Sequence, residues 1–234
     1  MSLILNIETA TSVCSVALAK DGQLLGLMES NEKNSHSSIL TLFIDEVIKT
    51  AGVVLSDLDG VAVSEGPGSY TGLRIGVASA KGLCYALEKP LIGVNTLQAM
   101  ALGMVPPGSS MPETHTLYCP MIDARRMEVY SAVFDEKGRM IRETRAEIVD
   151  ENSFMEFLGK NRIVFAGDGA LKCRPLFGNH PNAVFSEEFQ PSAQFMISLS
   201  EEKYFQKKFE DLAYFEPYYL KDFIAGKPRV KGLK

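Results

Sequence analysis

The stretch Glu65-Gly66-Pro67-Gly68-Ser69-Tyr70-Thr71-Gly72-Leu73-Arg74-Ile75-Gly76 constrains this chain more than any other. Residues 60–64 before it form a short apolar run that reads as a buried strand. Residues 71–87 after it contain no proline and only two charges, Arg74 and Lys81, and read as a helix. Strand, glycine loop and helix in that order bring backbone N–H groups to the positive end of a helix, where an anion or carboxylate can sit. The loop is not a P-loop, because Thr71 stands where the second glycine belongs and no lysine follows. Gly66, Gly68 and Gly72 miss the dinucleotide spacing by one residue. A sharp turn that needs glycine for its backbone angles is the other reading of the same residues.

The helix after the loop carries small residues at a spacing of three and four: Gly72, Gly76, Ser79 or Ala80, then Leu83, with Ile75 beside them. Glycine inside a helix costs roughly 1 kcal/mol against alanine, so Gly76 and Gly82 call for an offset, such as the close approach of another backbone. A second helix is predicted over 35–51, capped by Ser35 and stopped by Gly52. Its apolar residues Ile39, Leu40, Leu42, Phe43, Ile44, Val47 and Ile48 cover more than the one face a sheet requires. The two helices together are the candidate partner surface: His36, Ile39, Leu40, Phe43 and Val47 from one, and Gly72, Ile75, Gly76, Ser79, Ala80 and Leu83 from the other.

Read in order, residues 3–7, 13–19 and 23–28 form three strands, with Asp21-Gly22 as a turn. Strand 91–94 and a short helix from Thr96 close the first half, taken as 1–103. The Pro- and Gly-rich stretch 105–112 reads as a linker or long loop. The second half, 104–234, repeats the opening plan: strand 117–122, polar turn at Asp123, strand 129–134, the Lys137-Gly138 turn, and a strand from Arg139. Glu8 and Asp123 fall at matching places, which predicts an internal duplication offset by about 115 residues. A helix over 151–159, a strand at 163–165, a glycine loop at 166–170, a helix over 192–208 and an extended segment at 217–220 complete the second half. The late helix is expected to pack back on the first half.

Composition narrows the function classes. A hydrophobic content of 46% is ample for a core, and no run is long enough to span a bilayer. Residues 1–7 lack the basic stretch of a secretory leader. Cys14, Cys84, Cys119 and Cys173 form no Cys-x-x-Cys pair, which fits reduced thiols in a cytoplasm. A net charge of −5 argues against gripping nucleic acid over a broad surface unaided. From Lys221 onward, however, five basic residues face Asp222 alone, a tail able to touch phosphates.

Four segments now carry a resemblance: Ile7-Glu8-Thr9-Ala10-Thr11, the glycine stretch 66–76, Ile122-Asp123-Ala124-Arg125, and Glu216-Pro217-Tyr218-Tyr219-Leu220. In this order, over nearly the whole chain, they resemble the TsaB (YeaZ) family. The resemblance implies an α/β fold of two tandem actin / sugar kinase / Hsp70-like (ribonuclease H-like) domains. It implies that the first hairpin turn of each domain faces nucleotide phosphates. By position those residues are Glu8, Thr9, Thr11 and Ser12, then Asp123 and Arg125, with Gly167 and Gly169 near an adenosine. The glycine loop adds Gly66, Gly68, Ser69, Thr71 and Gly72. The family is similar to the transferase subunit TsaD, which adds threonylcarbamoyl to adenosine 37 of tRNA and holds a metal through a His-x-x-x-His pair after a Val-Asn step. Here Val94-Asn95 is followed by Thr96 and Met100 at those places, and neither suits a hard ion or an activated water. The implied role is an accessory subunit with no metal, no required cofactor and no catalysis of its own. Its implied partners are a TsaD-like subunit, a TsaE-like ATPase through the complex, tRNA only through the complex, and a second copy of itself when alone.

Two other readings stand beside it. A nucleotide-hydrolysing or phosphoryl-transferring enzyme would bind ATP or ADP in the cleft, with Glu8 and Asp123 holding magnesium through water. A metal-dependent peptidase lacks ligands: His36, His115 and His180 are widely separated, and no nucleophile–base signature is present.

Overall fold

The structure, a computed structural model, describes residues 1–32, 36–106 and 116–221. The first half is β1 (Leu3–Glu8), β2 (Cys14–Lys20), β3 (Gln23–Ser30), α1 (His36–Thr50), β4 (Gly60–Gly66), α2 (Tyr70–Leu87), β5 (Leu91–Asn95) and α3 (Thr96–Met104). The second is β6 (Thr116–Asp123), β7 (Glu128–Phe134), β8 (Met140–Ile148), α4 (Met155–Leu158), β9 (Arg162–Ala166), α5 (Arg174–Phe177), β10 (Ala183–Ser186) and α6 (Ile197–Phe205). Each half folds one five-stranded sheet, in the orders β3-β2-β1-β4-β5 and β10-β9-β6-β7-β8. Read from the meander edge, the two orders are the same. In both, the first three strands pair antiparallel and the last two add in parallel. This is the ribonuclease H-like arrangement, present twice, and it bears out the expected fold class.

Local sequence explains the boundaries. β1 is buried at every position, as the central strand of a sheet covered on both faces must be. Asp21 and Gly22, both at positive φ, make the tight β2–β3 turn. Gly52 ends α1 in the left-handed region, and Val53 N reaches the Ile48 carbonyl at 3.3 Å. Ser69 caps α2, its Oγ accepting from Gly72 N at 3.3 Å, and Asn95 caps α3 through Gln98 N at 3.0 Å.

Two expectations change. The helix expected over 151–159 shrinks to α4. The Asp150 carboxylate accepts from the Asn152 and Ser153 amides, each at 2.9 Å, and this Asx turn competes with the helix. Phe154 then takes φ +64°. The helix expected over 192–208 opens instead as a 3-10 turn, Ala193–Met196, and α6 ends before Lys207 at φ +54°. α5 and β10 carry no expectation at all; α5 has four residues and β10 is half-buried throughout, so neither shows a clear period. Ser35, most of the stretch 105–112, His115 and the basic tail past Lys221 lie outside the described residues.

One core lies between α1, α2 and the first sheet, where Leu40, Val47, Val77, Ala80 and Cys84 meet Leu5, Ile7, Val61 and Val63. A second, rich in Phe154, Phe165 and Phe177, covers the outer face of the second sheet. Each such side chain fully buried contributes about 1.5–3 kcal/mol. Between the sheets the helices cross over. α3 packs on β6 and β7, whereas α6 packs on β1 and β5. Ser2 Oγ donates to Glu201, Ala193 N to Ser15 Oγ at 2.8 Å, and Gln98 Nε2 to the Gly138 carbonyl at 3.0 Å. The two halves therefore share an interior.

Candidate functional site

The open ends of both sheets converge on a cleft of about 730 Å³. The first half lines it with Ala10 to Ser12, His36, Ser37, residues 67–72 and Ile75. The second half contributes residues 122–125, Tyr130 and Asp168, and residues 218–221 form a third wall. Of the sequence-predicted residues, Thr11, Ser12, Asp123, Arg125, Gly68, Ser69, Thr71, Gly72, His36 and Ile75 are brought together here. Tyr70, Tyr130, Asp168, Tyr218, Tyr219 and Lys221 were missed; the Tyr218-Tyr219 pair was the one signal available.

Glu8 and Thr9 do not face the cleft. Glu8 is 1% exposed, and its carboxylate turns inward to accept from Ala10 N at 2.6 Å. Burial pushes its pKa up to about 7, against the pull of hydrogen bonds from Ala10, Ser64 and Thr9. A central strand buried on both faces gives its side chain no route to the cleft. Thr9 is wholly buried beneath α2. Its carbonyl lies 2.1 Å from where a Cβ on Gly72 would stand, and its Oγ1 lies 2.2 Å from that point on Gly76. Gly68 meets the Ala10 carbonyl in the same way, at 2.4 Å. The glycine spacing is therefore the imprint of the 8–11 turn on the loop and helix that cross it.

This packing takes three of the amides expected to hold an anion. Ser69 N donates to the Ala10 carbonyl at 2.7 Å, Gly72 N to the Ser69 hydroxyl, and Gly66 N to Thr96 Oγ1 at 3.2 Å. Gly66 sits under Tyr218 rather than in the cleft wall. Gly167 and Gly169 are likewise removed from it. They let the 166–170 loop close on β6, where Cβ atoms would meet the Met121 carbonyl oxygen at 2.4 Å and the Ile122 carbonyl carbon at 2.8 Å.

In the second half, Asp123 is a clasp. Its Oδ1 accepts from Arg125 N at 2.9 Å and pairs with Lys172, while Asp123 N donates to Asp168 Oδ1 at 2.9 Å. With Glu8 turned inward, Glu8 and Asp123 form no pair across the cleft, and the residues present do not fit a magnesium–phosphate centre. Among the described residues no group of three or more His, Cys, Asp or Glu is placed to hold a metal. All four cysteines are free and buried; burial pushes Cys14, Cys84 and Cys173 up to about 11 and Cys119 higher still, so none is a ready nucleophile.

The partner surface needs correction too. Leu40, Val47, Gly72, Gly76 and Ala80 belong to the chain's own core and offer nothing outward. His36 is 9% exposed, with Nε2 3.3 Å from the Val13 carbonyl. Of the expected residues, Ile39, Phe43, Ile75, Ser79 and Leu83 stay partly exposed, though all but Ser79 also pack on the first core, with Leu42 63% exposed beside them. The close approach that offsets Gly76 is internal, and Gly82 has no atom within 4 Å of a Cβ position. No helix among the described residues is long and apolar enough to cross a membrane.

Comparison with known proteins places the chain among tRNA-modification proteins. The family model described as TsaD, tRNA N6-adenosine threonylcarbamoyltransferase, matches residues 23–225. The Escherichia coli tRNA threonylcarbamoyladenosine biosynthesis protein TsaB is 35% identical over 233 residues, covering 96% of each chain. The Haemophilus influenzae protein of the same name is 30% identical, covering 96% of this chain and 95% of its own. Among solved structures, YeaZ from Pseudomonas aeruginosa superposes with a TM-score of 0.79 at 25% identity, covering 94% of this chain and all of that one.

Proposed function

The chain belongs to the TsaB (YeaZ) family, and from that premise we propose that it serves tRNA threonylcarbamoyladenosine biosynthesis as the non-catalytic subunit that binds and activates a TsaD-type transferase. The carrying observation is the full-length match to two proteins named for this pathway. The places that the resemblance gives to metal-binding histidines in TsaD support the non-catalytic role. Thr96 and Met100 are buried there, the Thr96 hydroxyl accepting from Gly66 N and the Met100 methyl lying against Gly167.

The contact surface is the outward face of α1 and α2: Ile39, Phe43, Ile75, Ser79 and Leu83. Alone, the chain pairs with a second copy through this face about a two-fold axis, so self-association and binding of the transferase compete. A TsaE-like ATPase and tRNA join through the complex.

The test is reconstitution. A tRNA carrying an unmodified adenosine 37 is incubated with the cell's own TsaD-type protein, the activated threonylcarbamoyl donor and, in one arm, this chain. Modification is expected only when both proteins are present, and Ile39→Glu with Leu83→Glu should abolish both binding and activation. Full modification by the transferase alone, or by this chain alone, defeats the proposal. The phosphotransferase reading finds no support in the inward-turned Glu8; calorimetry with ATP and magnesium tests it separately.

A further inference from the structure

We propose that residues 207–221 form a strap that gates the cleft, with the ion pair between Lys221 and Glu128 as its latch. The strap leaves α6 at Lys207 and runs back across the first half. Glu210 N donates to the Leu91 carbonyl at 2.9 Å, adding a bridge to the outer edge of β5. Lys81 Nζ donates to the Ala213 and Phe215 carbonyls at 3.2 and 3.1 Å. Tyr218 N donates to the Glu65 carbonyl at 2.7 Å, at the end of β4. Up to this point the anchors all come from the first half: the Leu91 and Glu65 carbonyls and the Lys81 ammonium.

Past Tyr218 the holding changes in kind. The Tyr219 ring packs at 5.0 Å, tilted, on Tyr70. Lys221 then reaches the second half and pairs with Glu128 at the start of β7. Residues 218–221 are the ones that line the cleft. The Lys221 side chain is 46% exposed, and exposed ion pairs hold weakly. Among the described residues, the strap is rooted up to Tyr218 by main-chain hydrogen bonds and the Lys81 ammonium, and past it by a ring contact and an exposed ion pair, so it opens first past Tyr218. That opening joins the cleft to solvent along the side between Tyr70 and Glu128, without unpacking either sheet. Glu128 is suited to the latch because its own backbone carbonyl accepts from Lys172 at 2.6 Å, which fixes its position while the carboxylate stays turned to the strap.

The test is hydrogen exchange on the full chain, comparing the unaltered protein with Lys221→Glu, Lys221→Gln, Glu128→Lys and the charge-swapped pair Lys221→Glu/Glu128→Lys. Both single reversals should speed exchange about two- to fivefold at 219–221 and at the cleft-wall amides of 67–72 and 122–125. Melting temperature should stay put, Lys221→Gln should fall between, and the swapped pair should return to the original rates. Three results each overturn the proposal: cleft-wall amides that do not change in the single variants, acceleration confined to the strap itself, or a swapped pair that fails to restore the rates. Lys221→Gln introduces no repulsion, so it decides the matter if either reversal disturbs folding.

Discussion

Replacing Gly72 with alanine tests the interlock between the glycine loop and the first hairpin turn. The added Cβ would stand 2.1 Å from the Thr9 carbonyl oxygen, roughly 1.3 Å short of ordinary contact. That oxygen is main chain in a buried turn, so relief requires the turn or α2 to move. Overpacking of this kind costs about 1–3 kcal/mol, and the upper end applies where the obstacle is backbone. Alanine returns about 1 kcal/mol of helix propensity, leaving a net loss of about 2 kcal/mol. For a chain of this length that is a fall of about 4–8 °C in Tm. Gly82→Ala, in the same helix, meets nothing within 4 Å and should gain about 0.5–1 kcal/mol. Gly76→Ala meets the Thr9 hydroxyl at 2.2 Å instead, so adding Thr9→Ala should rescue Gly76→Ala and leave Gly72→Ala unrescued. Thermal and urea unfolding followed by circular dichroism reads all five variants. If Gly72→Ala is as stable as Gly82→Ala, or if Thr9→Ala rescues both glycine variants equally, the interlock is refuted.

Glu8 has a folded pKa of about 7 against an ordinary 4.5, so the native state binds the extra proton between those values and its stability falls as pH rises through that window. The contribution lost by pH 8 is on the order of 3 kcal/mol; Glu8→Gln keeps the acceptor for Ala10 N and should flatten the decline, and an unchanged slope in urea titrations at pH 5 and 8 counts against it. Arg142, 9% exposed, pairs with Glu147, donates to Ser131 Oγ at 2.9 Å and lies 4.3 Å over the Phe154 ring. Arg142→Met should cost about 3 kcal/mol by stranding Glu147, and Arg142→Met/Glu147→Leu should recover most of it; equal losses in the single and double variants would show that the charge pairing is not the cause. Asn95→Ala removes the α3 cap and should cost about 1 kcal/mol, with Asn95→Asp near neutral; a loss as large in the Asp variant would point to packing instead.

What was legible in the sequence followed period and punctuation. Strands β1 to β4 and helices α1 and α2 could be drawn because their apolar runs end at Asp21-Gly22, Gly52 and the 66–72 loop. The duplication could be drawn because Glu8 and Asp123 end equivalent central strands. The site was harder. Glu8 and Asp123 hold the same place in their halves, yet one is buried and the other exposed. That difference comes from what crosses each turn: α2 with its glycines over the first, a loop and Lys172 beside the second. The glycines themselves were read as room for an outside partner, because a sequence shows that backbone must come close and does not show whose. Of the strap only the extended run 217–220 was legible, because its anchors are backbone groups, the Lys81 ammonium and a long-range ion pair, which leave no periodic trace.

The two halves repeat one topology but not one outline. α1 and α2 have 15 and 18 residues, while their counterparts in the second half, α4 and α5, have four each. Among the described residues only the first half thus presents a broad pair of helices, which gives a valence of one for any association made through them. Two copies joined there are saturated, and so is one copy joined to a relative of the same shape. Neither arrangement leaves a second such face from which a chain of subunits can grow, so assembly through this surface is self-terminating at the pair.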